Sequence, residues 1–318
     1  MSGATMQGGG RRKMLAILAV VLGMLVTGAI ALQIAIWTNG PAVLDTVDRL
    51  MGGKVGTERI GSLSYGDHPQ QRLFIHRVPH FETNEMRPVI AFIHGGSWRD
   101  GAPDYYDFIG RSLAAQGFLV VNLGYRLGDD GRWPAMLEDG AAGIAWVRAN
   151  IADYGGDPER IVLMGHSAGA YNAAMLALDA RWLEAQGVPP RAIAGFVGLA
   201  GPYDFYPFDS DSTRAAFGGA PEPEATQPVN HVQESAPPML LIHGLEDTTV
   251  KPRNSQALAR IISEKGGEAT LREYPGMDHS DPLVALAAPW RNRGEILPGV
   301  LEFARAVTSS VPVQAETR

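Results

Sequence analysis

The feature that most constrains this chain is a series of short apolar runs, each closing on glycine and polar residues. They occupy residues 89–93, 118–123, 161–164, 193–199, 239–242 and 269–274. Runs so short and so uniformly apolar suit strands covered on both faces. Between them lie segments with helical spacing. Residues 136–151 carry Met136, Ile144, Val147 and Ile151 on one face, and 168–178, 255–265 and 300–307 follow the same rule. Strand and helix in alternation predict an α/β fold, with a mostly parallel central sheet flanked by helices on both faces. Two leading strands, 62–65 and 71–77, are expected around the turn Gly66-Asp67-His68-Pro69. Residues 201–238, rich in Pro and Gly, break the rhythm and predict a lid or irregular loop, too short for a domain of its own.

The start of the chain obeys different rules. Residues 14–37 contain only Thr27 and Gln33 as clearly polar members. As a helix the run is roughly 36 Å long, enough to cross a hydrocarbon layer of about 30 Å with some tilt. Arg11, Arg12 and Lys13 precede it, and Asp45 and Asp48 follow. That charge asymmetry places residues 1–13 in the cytoplasm and the large domain across the membrane, in the periplasm if the cell is Gram-negative. Two readings stand: an uncleaved anchor over 14–37, or a signal peptide cut at Ala29-Ile30-Ala31 and a secreted product. The apolar run continues past Ala31, which favours the anchor. The remaining division is a linker over 38–59 with a short helix near 42–50, a main domain over 60–308, and a tail over 309–318.

Composition excludes some chemistry. The net charge is −7 without a long basic run in the body, so nucleic acid is not an expected partner. The chain has no cysteine, which removes disulfides, thiolate metal sites and a cysteine nucleophile.

In open parallel sheets, ligands bind beyond the carboxyl ends of the strands. The polar clusters of this chain lie there. The strand at 161–164 runs into Gly165-His166-Ser167-Ala168-Gly169, which opens an alanine-rich helix. This G-x-S-x-G in a strand–turn–helix setting is the signature of a nucleophile elbow, with Ser167 as the nucleophile. A serine hydroxyl needs a base, and the base needs an acid to orient it. Among eight histidines, His279 follows the last strand and precedes the C-terminal helix, the base position in the chain order Ser, acid, His. His94 belongs to a glycine loop, His166 to the elbow, and His243 to a strand end that suits a structural role. Asp247, after the strand at 239–242, fits the acid best. Glu246 is its first rival, with Asp204, Asp209, Asp211 and Asp278 weaker. His94-Gly95-Gly96-Ser97 follows a buried strand and offers backbone N–H groups to a developing oxyanion, the Ala168 N–H being the second donor.

With these residues in view, the chain resembles the α/β-hydrolase superfamily, in the esterase branch of hormone-sensitive-lipase-like carboxylesterases, feruloyl- and acetyl-xylan-esterase-like proteins and kynurenine formamidases. The matching residues are His94-Gly95-Gly96-Ser97-Trp98, Tyr125-Arg126, Tyr154-Gly155-Gly156-Asp157-Pro158, Gly165 to Gly169, His243-Gly244 with Asp247 and Val250, and His279. The resemblance covers about residues 60–308. It implies Ser167 as nucleophile, Asp247 as acid, His279 as base, and an oxyanion hole from Gly95, Gly96 or Ser97 with Ala168. Many relatives carry a third glycine where this chain has Ser97. By the same analogy Tyr125, Arg126 and Asp157 are structural.

The expected reaction is hydrolysis of a small-molecule carboxylic ester through an acyl-enzyme, without metal or organic cofactor. Two alternatives remain from the sequence: an arylformamidase or other amide hydrolase using the same residues, and a catalytically silent hydrolase fold serving as a tethered interaction module.

Overall fold

The computed structural model describes residues 7–52, 56–79 and 86–309. The first six residues and the tail beyond Ser309 lie outside them. One sheet organises the main domain. Its strands are β1 (Glu58–Ser64), β2 (Arg72–Arg77), β3 (Arg87–Ile93), β4 (Leu119–Leu123), β5 (Gly156–His166), β6 (Ile193–Leu199), β7 (Met239–Gly244) and β8 (Ala269–Tyr274). They lie side by side in the order β1-β2-β4-β3-β5-β6-β7-β8. The pairs β1–β2 and β2–β4 are antiparallel, and every pair from β4 to β8 is parallel.

The central strands are covered on both faces because successive side chains point to opposite sides of the sheet. In β3, Val89, Ala91 and Ile93 pack into one apolar layer and Ile90 and Phe92 into the other. The first layer is closed by α3 (Ala135–Asn150) and α4 (Ala168–Leu178) through Met136, Ile144, Ala170 and Met175. The second is closed by α2 (Asp107–Ala114) and α6 (Ile296–Thr308) through Phe108, Leu113, Val300 and Ala304.

The chain leaves β3 for β4 on one side and later returns to lay β5 on the other. The carboxyl ends of β3 and β5 therefore flank a crevice where the winding reverses, the place where open α/β sheets bind ligands. The residues just past these two ends are His94–Gly95–Gly96–Ser97 and Ser167.

Residues 201–238 are not structureless. They contain α5 (Asp211–Phe217), whose start is capped by Ser210 accepting from the Thr213 amide, and two single-turn helices. Phe205 and Phe217 pack there against Trp98 and Tyr171, and Phe208 stacks on Phe217.

The N-terminal helix α1 (Gln7–Met51) is broken at Asn39, whose φ of −156° and ψ of 73° are not helical, with Pro41 just beyond. Pro41 lacks a donor and its ring crowds the preceding turn, which accounts for the break. Before it, Lys13–Ile36 has a mean hydropathy of 2.7 and none of its most apolar stretch is buried in the protein. After it, the helix lies on the main domain. The segment expected as a linker over 38–59 is thus largely helical and docked. Leu44 packs into the second apolar layer. Asp48, 1% exposed, accepts from Arg111 Nε at 2.8 Å, from Arg291 at 2.7 Å and from the Ala288 amide at 2.7 Å. Arg111 also reaches Asp45 at 2.6 Å.

Candidate active site

The elbow between β5 and α4 is built by close approach. A methyl group on Gly165 would stand 2.3 Å from the Gly169 carbonyl oxygen, and one on Gly169 only 2.1 Å from that of Ile93. Neither position tolerates a side chain, so the turn is sharp. At its apex Ser167 takes φ 55° and ψ −124°, a left-sided backbone that a non-glycine residue holds only when its surroundings enforce it. Ser167 N–H donates to Leu199 O at 2.9 Å on the neighbouring strand β6, which fixes the apex. The start of α4 then sits beside the serine hydroxyl, with the positive end of the helix dipole turned to it.

Three side chains from separate strand ends meet at this apex. His279 Nε2 lies 2.9 Å from Ser167 Oγ, and His279 Nδ1 lies 2.7 Å from Asp247 Oδ2. The residues singled out as nucleophile, base and acid are therefore in one hydrogen-bonded line. Glu246 is exposed, and Asp278 instead accepts from the amides of Ser280 and Asp281. Neither rival faces the imidazole.

Asp247 is held by more than His279. Its Oδ1 accepts from the amides of Thr249 and Val250, each at 2.8 Å, and His243 Nε2 stands 3.2 Å from its Oδ2. Burial pushes the carboxyl pKa up, but the hydrogen bonds from His243, His279 and the Val250 amide outweigh it and hold it well below the usual carboxylate range. The acid is thus a fixed anion at neutral pH. His243 ends β7, as its structural reading required, and also donates to the Val250 carbonyl at 2.9 Å and meets Ser255 Oγ at 2.7 Å.

His166 has a role the sequence did not reveal. Its Nε2–H donates to the backbone carbonyl of His279 at 3.0 Å, so the residue before Ser167 holds the loop that carries His279. Burial, with the neighbouring His279 imidazole adding to it, lowers its pKa to about 3, so it stays neutral across the physiological range. Its place inside the G-x-S-x-G pattern was visible, but its partner lies 113 residues away.

The glycine loop crosses in front of the serine. A methyl on Gly95 would meet the His166 carbonyl oxygen at 2.9 Å and Ser167 Cβ at 3.1 Å, which explains the missing side chain. The Gly95 backbone also hydrogen-bonds the Tyr106 phenol. Gly96 has φ +121° and Ser97 φ 56°. Among the described residues, the amides of Gly96, Ser97 and Ala168 have no hydrogen-bond acceptor in the protein. Gly96 and Ser97 both line the space over Ser167. The third-glycine position held by Ser97 keeps the left-handed conformation despite its side chain. Tyr125 and Arg126 do brace the loops: Tyr125 donates to the His94 carbonyl at 3.0 Å, and Arg126 clamps Asp139 through two nitrogens. Asp157 pairs with Arg160 at 2.6 Å.

Ser167 opens onto two unlike spaces. One, about 110 Å³, is half polar and walled by Trp98, Ala168, Phe205, Ser212, Thr213 and Asn254 among others. The other, about 660 Å³, is mainly apolar and holds His279, Leu283, Val284 and Trp290 together with α1 residues. Among the described residues, no group of three or more His, Asp or Glu side chains is arranged to hold a metal ion.

The chain matches the BD-FAE family model over residues 77–262. It is 33% identical over 243 residues to the probable isoprenylcysteine alpha-carbonyl methylesterase ICMEL1 of Oryza sativa subsp. japonica, covering 69% of this chain and 56% of the rice protein. It is 31% identical over 241 residues to esterase LipC of Mycobacterium tuberculosis, covering 69% of this chain and 59% of that one. The chain thus spans little more than half the length of these relatives. Among solved structures, esterase B from Lactobacillus rhamnosis superposes with a TM-score of 0.72 at 21% identity, over 89% of this chain and 96% of that one. A truncated carbohydrate esterase from gut microbiota gives 0.71 at 21% identity, over 81% and 99%. These two likenesses support the fold.

Proposed function

Given that the chain belongs to the BD-FAE family of α/β-hydrolase esterases, we propose that it is a carboxylesterase acting through Ser167, His279 and Asp247, held at a membrane by α1. The observation that carries the reading is the continuous line from Ser167 Oγ to His279 Nε2 and from His279 Nδ1 to Asp247 Oδ2, at 2.9 and 2.7 Å. Such a line lets a neutral imidazole take the hydroxyl proton as the serine attacks.

In the first half-reaction the Ser167 Oγ–carbonyl bond forms and its proton passes to His279 Nε2. The carbonyl oxygen becomes an anion. Gly96, Ser97 and Ala168 are the amides free to receive it, each donor being worth about 2.7–4 kcal/mol in a water-poor site. Gly95 is the weaker candidate, because its backbone is also hydrogen-bonded to the Tyr106 phenol. Collapse of the tetrahedral intermediate breaks the bond to the alkoxy oxygen, which leaves with the proton from His279. Water then attacks the acyl-enzyme, His279 again taking and returning a proton. The Asp247 carboxylate orients the imidazole and stabilises it when charged. No step calls for a metal or an organic cofactor.

The anchor reading draws on the exposed apolar stretch Lys13–Ile36 and on the basic residues before it, which support a main domain outside the cytoplasm. The helix continues beyond Ala31 and ends docked on the domain, an arrangement suited to retention.

The test is Ser167→Ala. Hydrolysis of p-nitrophenyl acetate should fall by about 10⁴-fold or more with the fold intact. A fluorophosphonate probe should label the wild-type chain and not the variant. Unchanged turnover in Ser167→Ala rejects the assignment, and turnover of formamides with none of esters replaces it by an amide hydrolase.

A further inference from the structure

The larger space over Ser167 is not built by the main domain alone. One wall is α1 itself: Leu32 and Ile36, in the last turns of the apolar span, and Val43, Leu44 and Val47, beyond the break. At about 1.5 Å per residue, Leu32 stands roughly 6 Å from the end of the span at Ile36. The opposite wall is Leu283, Val284 and Trp290 of the main domain. The cavity therefore runs from the depth of the apolar span to the serine hydroxyl, and its lining is predominantly apolar along the way. Trp290 is 39% exposed. An indole that is both wet and apolar suits a lipid–water boundary.

This wall is fixed rather than draped. Asp45 and Asp48 sit on the buried side of the docked helix and are tied to Arg111, with Asp48 also bound to Arg291 and the Ala288 amide. Removing α1 would leave one side of the cavity missing.

The two spaces around the serine also differ in their relation to the base. His279 and Ser280 line the large apolar cavity and do not line the small polar one. The leaving alcohol must receive its proton from His279 Nε2, so the alcohol half of the ester lies on the His279 side. The acyl half then lies in the small space beside Ala168 and Trp98. That space, about 110 Å³ and half polar, favours a short acyl group.

We infer that this esterase takes membrane-dissolved esters of a short acyl group with a long apolar alcohol, and that α1 forms the groove through which the alcohol chain passes from the bilayer to Ser167. The inference rests on the esterase reading above and adds a substrate class to it. When the acyl–oxygen bond breaks, the long-chain alcohol takes the His279 proton and returns along the same groove to the lipid. The short acid leaves through the small, water-facing space after the second half-reaction.

The experiment uses the full chain in phosphatidylcholine vesicles, with acid release followed at constant pH. Dodecyl acetate is compared with ethyl acetate, and ethyl laurate with ethyl acetate. The wild-type chain should favour dodecyl over ethyl acetate by at least about tenfold in kcat/KM, and should not favour ethyl laurate. Val43→Trp and Val47→Trp, which fill the groove from α1, should each lower the dodecyl-to-ethyl ratio at least about fivefold. Val284→Trp fills it from the opposite wall and should do the same if α1 variants fail to dock. Thr46→Trp, on an exposed position of the same helix, should leave the ratio as it is. Partitioning into lipid is common to all variants, so the ratio reports the groove.

A ratio unchanged by all three filling variants overturns the inference, as does a preference that follows the acyl half. Hydrolysis of p-nitrophenyl acetate without any alkyl preference removes this inference alone. No ester hydrolysis by the wild-type chain removes the esterase reading with it.

Discussion

At the scale of single residues, histidines decide how this protein responds to acid. His94 and His166 are buried and neutral, burial lowering their pKa values from 6.5 to about 4 and about 3. In the unfolded chain both bind protons near pH 6.5, whereas in the folded chain they do not until far lower. Between those values the unfolded state holds more protons, so stability falls as pH falls. Each histidine should contribute a slope of about 1.4 kcal/mol per pH unit over roughly pH 6 to 4. Urea midpoints measured at pH 7 and pH 5 should differ accordingly, and a flat profile would contradict the neutral burial. The same residue scale separates orientation from chemistry. Asp247→Asn should lower kcat about 10⁴-fold, because an amide donor at that place holds the imidazole in the wrong tautomer. His166→Phe keeps a ring but removes the donor to the His279 carbonyl. A hydrogen bond worth about 1–1.5 kcal/mol predicts a loss of about tenfold in kcat with little change in KM. His166→Gln, which retains a donor, should restore part of it; equal losses in both variants would make His166 a packing residue only.

Among the elements, what was legible in the sequence follows from how local its cause is. The central strands were readable because their apolar content is continuous, and the elbow because its two glycines and its serine lie within five consecutive residues. Gly169 shows how little freedom remains there: Gly169→Ala places a methyl group 2.1 Å from the Ile93 carbonyl. Overpacking of this kind costs about 1–3 kcal/mol or more, and should lower the Tm and the activity together. The short helix α2 (Asp107–Ala114) is hard to read from sequence because eight residues make only about two turns, although its apolar face is well marked. The docked part of α1 was read mainly as a linker because its reason for docking is distant. Asp45 and Asp48 look like surface acids until Arg111 and Arg291, far along the chain, are brought to them. Asp48→Ala takes the acceptor from Arg291 and the Ala288 amide, while the half-buried Arg111 keeps Asp45. Losing hydrogen bonds to a charged group costs about 1.5–3 kcal/mol each, so residues 41–51 should exchange amide hydrogens faster in the variant. Unchanged exchange would mean that Leu44 and its apolar neighbours alone hold the helix.

Taken as a whole, the molecule joins an exposed apolar rod to a sheet domain through one short, firmly seated helix. The full chain should sediment with membranes and resist extraction at alkaline pH; recovery of a soluble product beginning near Leu32 would identify a processed leader instead. The seat formed by Asp45, Asp48, Arg111 and Arg291 leaves the domain little freedom to turn about the rod. On the proposed reading, a catalyst fixed in this way would meet a lipid ester in two dimensions. Its velocity then scales with the number of ester molecules per unit of bilayer area, so adding inert phospholipid at constant total ester would slow turnover by surface dilution even though nothing in the bulk solution had changed.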